Sequence, residues 1–152
     1  MENINKEFNG RLICLTENCI FAYDQLCKVN KELNEEHSRF KRNDFSSNVD
    51  FGYLGAMNRM IQDYLIVRVA GLFDKAEYRA KGETHEVVCF EKTLSGNEIY
   101  KRAKNQEIIK YIQHQRNNFV AHFNVNAEST VSSKICDSDL KKILLELKTL
   151  VN

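Results

Sequence analysis

The chain has 152 residues, no proline and 6 glycines, with 43% hydrophobic and 28% charged residues. This length and balance are typical of one globular domain with a sizeable core, and the lack of helix-breaking residues favours long helices over a β fold with many turns. The net charge of +1 excludes a strongly basic nucleic-acid-binding protein, although a local basic groove is compatible with it.

The cysteines and the first residues predict a cytoplasmic protein without a membrane segment. The 5 cysteines are an odd number and form no CxxC pair, which favours reduced thiols over a disulfide framework. The N-terminal residues lack the basic and then apolar pattern of a signal peptide. No apolar run reaches the roughly 20 residues that cross a bilayer. The cysteines are Cys14, Cys19, Cys27, Cys89 and Cys136.

A long amphipathic helix is predicted from about Asn5 to His37. Its apolar residues recur at alternating spacings of four and three, a heptad pattern, with polar residues between them. We expect this seam to lie in the core of a helical bundle; the alternative is a surface that binds a partner helix or a second copy. The seam residues are Phe8, Leu12, Leu15, Cys19, Ala22, Leu26, Val29 and Leu33.

A second helix is predicted from about Asp50 to Phe73, after a polar connector from Ser38 to Asn48. Ser47, Asn48 and Asp50 are its candidate N-caps. The apolar residues of this helix lie near one face. The residues of that face are Leu54, Met57, Ile61, Leu65 and Leu72, with Tyr64 and Val69 extending it.

The stretch from Asp74 to Thr84 is charged and is predicted to be a loop or a frayed helix. Val87 to Phe90 fits either a short extended piece or one helical turn, and its periodicity does not separate the two.

A further helix is predicted from about Glu98, after the turn signal Ser95-Gly96-Asn97, with a break near Asn105 and a polar stretch from Asn124 to Lys134. Asp137 or Ser138 is then expected to cap a final helix. The whole chain, residues 1–152, is predicted to be a single all-α domain, an up-and-down bundle of four to five helices with a polar insertion. The final helix is expected to bury Leu140, Ile143, Leu144, Leu147 and Leu150.

The segment from Gln113 to Phe123 carries the residues best suited to chemistry. Cleavage of RNA without a metal needs a group that takes a proton from the ribose 2′-hydroxyl, and histidine titrates near neutral pH. It also needs a group that stabilises charge on the phosphorane, and the planar arginine fork matches phosphate oxygens. His122 and Arg116 supply these two groups, and Asn117 supplies an amide that can orient either of them.

Arg116 and His122 do not share one face of a straight α-helix. The six residue steps from Arg116 to His122 leave their directions about 120° apart, with a rise of ~9 Å. A compact site therefore needs an inward-turned arginine, a helix that ends or bends near His122, or a second copy of the chain.

An arginine, a polar residue directly after it and a histidine four to six positions further on resemble the signature of the HEPN family. Arg68 to Asp74, followed by a polar insertion, resembles the branch of that family associated with abortive infection. The resemblance implies a homodimer that packs through its motif-bearing helices and forms a composite ribonuclease cleft. It assigns the catalytic roles to Arg116, Asn117 and His122.

The expected function is a metal-independent endoribonuclease of a prokaryotic antiviral defence or toxin–antitoxin system. No cofactor and no metal are expected, the partner is an RNA substrate, and any antitoxin must be a separate protein. The alternative is a non-catalytic helical module that binds nucleic acid, a nucleotide or a protein partner, or an unrelated helical adaptor. Candidate RNA-binding residues are Lys101, Arg102, Lys104 and Lys110.

Both motif residues also have ordinary structural explanations. His122 is equally suited to a helix C-terminus, where the helix dipole favours its cationic form. Arg116 is equally suited to a surface ion pair.

Overall fold

A computed structural model describes residues 2–42, 44, 51–120 and 130–151. Within these ranges the chain forms seven α-helices, one π-helical turn and one two-stranded hairpin, so the all-α prediction is confirmed. The helices number more than the predicted four to five, because the late region is divided into shorter pieces than its apolar pattern indicates.

Helix α1 (Glu2–Lys41) is the longest element, and it confirms and extends the helix predicted for Asn5 to His37. Its heptad seam faces the core, with Leu12, Cys19 and Leu26 fully buried. The seam is therefore mainly a bundle surface, as expected. The connector is shorter than predicted because α1 continues past Ser38, and the proposed caps Ser47, Asn48 and Asp50 lie outside the described residues.

Helix α2 (Phe51–Leu72) runs antiparallel to α1, since Asn58 bonds to Asn30 at 3.4 Å whereas Arg68, later in α2, lies near Cys19, earlier in α1. Leu54, Leu65 and Val69 are buried as predicted. Tyr64, predicted to extend the buried face, is 39% exposed, because it lies one residue and about 100° around the helix from the buried Leu65.

An antiparallel hairpin follows α2, formed by β1 (Glu77–Ala80) and β2 (Glu83–Glu86). The prediction of a loop or frayed helix from Asp74 to Thr84 is therefore wrong. Lys81 and Gly82 form the two-residue turn with φ values of 52° and 84°, the conformation of a type I′ hairpin turn. Glycine adopts positive φ without steric cost, so this dipeptide closes the hairpin.

The next three helices are α3 (Phe90–Leu94), α4 (Glu98–Lys104) and α5 (Glu107–Gln115). The side chain of Asn97 accepts the backbone N–H groups of Ile99 and Tyr100 at 2.8 and 3.3 Å, which confirms the cap predicted there. The break near Asn105 is also confirmed, because α4 ends one residue before it.

Helix α6 (Thr130–Cys136) was not predicted, since Asn124 to Lys134 was expected to be a polar stretch. It docks through the buried Val131, Ser132 and Ile135. The Ser132 hydroxyl lies 2.5 Å from the side-chain oxygens of both Asn58 and Gln62, which joins α6 to α2 through polar groups.

Helix α7 (Leu140–Leu150) confirms the final helix. The N-cap position is Asp139, whose side chain makes no capping bond, so the predicted caps Asp137 and Ser138 lie one or two residues too early. The Ser138 hydroxyl nevertheless accepts the N–H of Leu140 at 3.3 Å. Leu140, Leu144 and Leu147 are fully buried against α1 and α4.

Candidate functional site

The motif segment lies where α5 ends and its helical geometry changes. Ile109 and Ile112 are fully buried and fix α5 against α2, and the Gln113 amide donates to the Phe73 carbonyl oxygen at 3.4 Å. Residues Arg116 to Val120 then form a π-helical turn, which we call the π turn. Such turns are rare and occur often at functional sites.

Arg116, the first residue of the π turn, is held by two side chains. Its Nη1 donates to Asp74 Oδ2 at 2.6 Å, and its Nε donates to Asn117 Oδ1 at 3.1 Å. The arginine side chain is 27% exposed and the aspartate side chain 36% exposed, so the pair lies at the rim of the core and remains in contact with solvent. The guanidinium is therefore oriented but accessible.

Asp74 is the site residue that the sequence did not reveal. It lies two residues after the end of α2 and 42 positions before Arg116, in the charged stretch predicted to be a loop or a frayed helix. The contact forms because both α5 and the π turn pack against α2, and the bond from Gln113 to Phe73 holds the end of α5 beside the end of α2. The only signal for it was its place at the end of the segment from Arg68 to Asp74.

The π turn changes the geometric argument made from the sequence. The rotation of about 120° between Arg116 and His122 assumed a straight α-helix. The chain leaves α-helical geometry at Arg116, so this rotation does not apply beyond that residue. His122, the predicted general base or acid, lies within 121–129, outside the described residues.

The exposed side chains of this segment include those of His114, Asn117 and Asn118. Asn117 is exposed, and its side-chain oxygen accepts the Nε–H of Arg116. The Asn118 amide nitrogen lies 2.9 Å from the His114 carbonyl oxygen and 3.0 Å from His114 Nδ1. When that nitrogen donates to Nδ1, a neutral imidazole carries its proton on Nε2. His114 is thus a second imidazole two positions before the arginine.

The four basic residues predicted to bind RNA are only partly available to a ligand. Lys101 pairs with Glu98 at 2.6 Å and Lys104 pairs with Glu91 at 3.3 Å. Arg102 and Lys110 are exposed, on α4 and α5 respectively. The patch therefore carries less net charge than its sequence indicates.

Glu91 links the hairpin to α4. It accepts the backbone N–H of Ala76 at 2.8 Å and also pairs with Lys104. The hydrogen bond from Ala76, and then Lys104, hold the pKa of Glu91 below its ordinary value. This carboxylate stays ionised at neutral pH and fixes the elements behind the basic residues.

Among the described ranges, no three His, Cys, Asp or Glu side chains come together as a metal-binding group. No helix in these ranges is both long enough and apolar enough to span a bilayer. No protein-family model, curated protein or solved structure matches this chain.

Proposed function

We propose that this protein is a metal-independent endoribonuclease that cleaves RNA by attack of a ribose 2′-hydroxyl on the adjacent phosphate. The observation that supports it is the fixed Arg116 guanidinium at the start of the π turn, held by Asp74 and Asn117 within reach of solvent. A preorganised donor needs little reorganisation when charge develops on the phosphorane, which is the main requirement of this reaction.

Each group of the motif has one task in the proposed reaction. As general base, His122 takes the proton from the 2′-hydroxyl and water protonates the departing 5′-oxygen; as general acid, His122 protonates that oxygen and water takes the 2′-hydroxyl proton. Arg116 stabilises the phosphorane in either case. The O2′–P bond forms and the P–O5′ bond breaks, which leaves a 2′,3′-cyclic phosphate and a 5′-hydroxyl. Asn117 orients the arginine. A second copy of the chain completes the cleft, and the biological setting we propose is prokaryotic antiviral defence or a toxin–antitoxin pair.

Arg116 can contact a phosphate without leaving Asp74. A guanidinium has five N–H donors in one plane. Asp74 and Asn117 each use one of them, and the others have no partner within the described part of the chain. The carboxylate lowers the net charge of the site, so the arginine acts as an oriented donor more than as a strong phosphate anchor.

The test is cleavage of mixed tRNA and mRNA in EDTA by the wild type, Arg116→Ala and His122→Ala. Arg11→Ala is the matched control, because Arg11 also forms a carboxylate pair, with Glu7 at 2.7 Å, on the exposed surface of α1. We expect cyclic-phosphate ends from the wild type and the control alone. Removal of one transition-state donor typically costs about 10²–10³ in rate. Equal cleavage by all four proteins contradicts the proposal.

The second candidate is a non-catalytic module that binds a protein, a nucleotide or a nucleic acid. It is favoured by the same ion pair, since an arginine that already has a carboxylate partner is sufficiently explained by a structural role. In that case wild-type protein cleaves no RNA and Arg116→Ala lowers only stability.

A further inference from the structure

The outward side of α2 is apolar although it faces solvent. Met60 is 67% exposed and Val67 is 43% exposed, on the side opposite the buried Leu65 and Val69. A helix that is apolar on both sides is typical of a buried helix. The outward side of α2 is therefore expected to be covered by another molecule.

The outward apolar residues follow a heptad spacing. Their positions alternate by four and three, the repeat that keeps one seam facing a partner helix. We call this set the outer stripe: Tyr53, Met57, Met60, Tyr64 and Val67.

Helix α1 widens this apolar surface. Phe21, 65% exposed, lies beside the stripe, and together with Val29, Met57 and Tyr64 it lines a groove of about 500 Å³ between α1 and α2. The groove lies directly against the stripe, since Met57, Met60 and Tyr64 belong to both. The surface is thus a ridge with an adjoining recess, which suits an incoming helix.

We infer that a second copy of this chain covers the outer stripe, so that the two α2 helices pack in parallel about a two-fold axis. The exposed side chains of the stripe and Phe21 offer on the order of 500 Å² per protomer, with each aromatic residue taken at about 200 Å² when whole. Two such surfaces bury about 1,000 Å², which reaches the lower limit for a specific interface.

Charges on the two edges of the stripe favour the parallel orientation. In the heptad that places Met60 at d and Tyr64 at a, Asp63 takes position g and Arg68 takes position e. These two residues are five positions apart along the chain, the separation between a g residue and the next e residue. In a parallel pair Asp63 of each copy therefore meets Arg68 of the other, and such e and g pairs set the orientation. Arg68 also lies over the Tyr64 ring, 5.6 Å from its centroid, at the edge of the seam.

Parallel pairing leads to the candidate site. The seam continues from Val67 to Gly71, and α2 ends at Leu72, two residues before Asp74, the residue that holds Arg116. Two parallel α2 helices therefore bring both Arg116 residues to the same end of the pair, whereas an antiparallel pair separates them by the length of α2, about 33 Å. This step rests on the proposed function, but the pairing itself is measured without RNA.

The first experiment measures mass by light scattering after size exclusion for the wild type, Met60→Glu and Leu145→Glu. Leu145 is the matched control, because it is 41% exposed on α7, away from the stripe. We expect dimers of the wild type and the control, and a monomer of Met60→Glu with unchanged circular dichroism. If the wild type is a monomer, the proposal is wrong, even if another protein binds to the outer stripe. A Met60→Glu dimer also overturns it.

The second experiment fixes the orientation with a short bismaleimide, in a background where the exposed Cys14 is replaced by serine. A parallel pair places each stripe residue against the same residue of the other protomer. We therefore expect both Met60→Cys and Val67→Cys to cross-link in high yield. An antiparallel pair centred on Met60 moves Val67 about 10 Å from that centre, so only Met60→Cys cross-links and the parallel model is wrong. If both variants cross-link but the wild type cleaves no RNA, the pairing stands and the proposed function fails.

Discussion

Asp74 orients Arg116 and also competes with an RNA phosphate for its charge. Asp74→Asn removes the charge-assisted bond at 2.6 Å but keeps the size of the side chain. We expect cleavage to slow by roughly ten- to a hundredfold, because the donor is misplaced. RNA should bind more tightly, because a negative charge is lost. Single-turnover cleavage and fluorescence anisotropy measure the two effects separately.

Asp24→Asn is the control for this prediction. It removes a pair of similar exposure, with Lys141 at 2.8 Å, far from the motif. Each substitution should lower the free energy of unfolding by no more than about 1 kcal/mol. If Asp74→Asn cleaves RNA as fast as Asp24→Asn does, the Arg116–Asp74 pair has only a structural role.

Removal of the hydroxyl from two buried tyrosines should change the free energy of unfolding in opposite directions. Tyr100 buries its hydroxyl without a hydrogen-bond partner among the described residues, and burial raises the pKa of this phenol. Tyr23 donates to the Cys136 carbonyl at 2.7 Å. We expect Tyr100→Phe to raise the free energy of unfolding by up to about 1 kcal/mol and Tyr23→Phe to lower it by about 1–2 kcal/mol. Urea unfolding measures both, and a loss of stability in Tyr100→Phe contradicts the assignment.

At the scale of the element, α6 depends on polar contacts for its position. Ser132 bridges Asn58 and Gln62 at 2.5 Å in a buried layer. Ser132→Ala leaves two buried amides without this partner, so we expect a loss of about 2 kcal/mol. Ser133→Ala, which removes one bond to Asn30 at 3.3 Å, should cost about 0.5 kcal/mol. Equal unfolding free energies for the two variants would show that the layer contributes little.

The attachment of the hairpin should depend on pH through Glu91. Its folded pKa is depressed below the ordinary 4.5, so its stabilising contribution is complete above that value and is lost as pH falls through the folded pKa. At pH 7 we expect Glu91→Gln to cost about 1 kcal/mol. In acid the variant and the wild type should converge. Urea unfolding at pH 7 and pH 3 tests this. If the variant and the wild type still differ in free energy of unfolding at pH 3, the pH dependence does not come from ionisation of Glu91.

The long elements were predictable because their burial is periodic. Helices α1, α2 and α7 bury apolar residues at helical spacing, and their predicted extents are confirmed. The hairpin was missed because its strands are mostly exposed and charged, so its turn at Lys81 and Gly82 was the only signal. Helix α6 was missed because a hydroxyl, Ser132, occupies its buried centre.

At the scale of the molecule, the candidate site joins distant parts of the chain. Local spacing identified Arg116 and Asn117, and the structure places them together at the π turn. Local spacing could not identify Asp74, because the contact between Asp74 and Arg116 depends on the packing of α5 against α2. Local spacing also does not show which apolar side of α2 faces outward. Apolar residues recur on both sides of this helix, and only their burial in the structure tells the two sides apart.

A composite site makes a prediction that a single-chain site does not. When each active centre takes Arg116 from one protomer and His122 from the other, a heterodimer of Arg116→Ala and His122→Ala retains one intact centre of two. Random re-association of an equal mixture makes half of the molecules heterodimers, so we expect about a quarter of wild-type activity from two inactive proteins. Mixing the variants after brief denaturation, with cleavage assayed in EDTA, measures this recovery. Activity that stays at the level of the separate variants indicates that each centre is built from one chain, and the dimer then serves only to bind RNA.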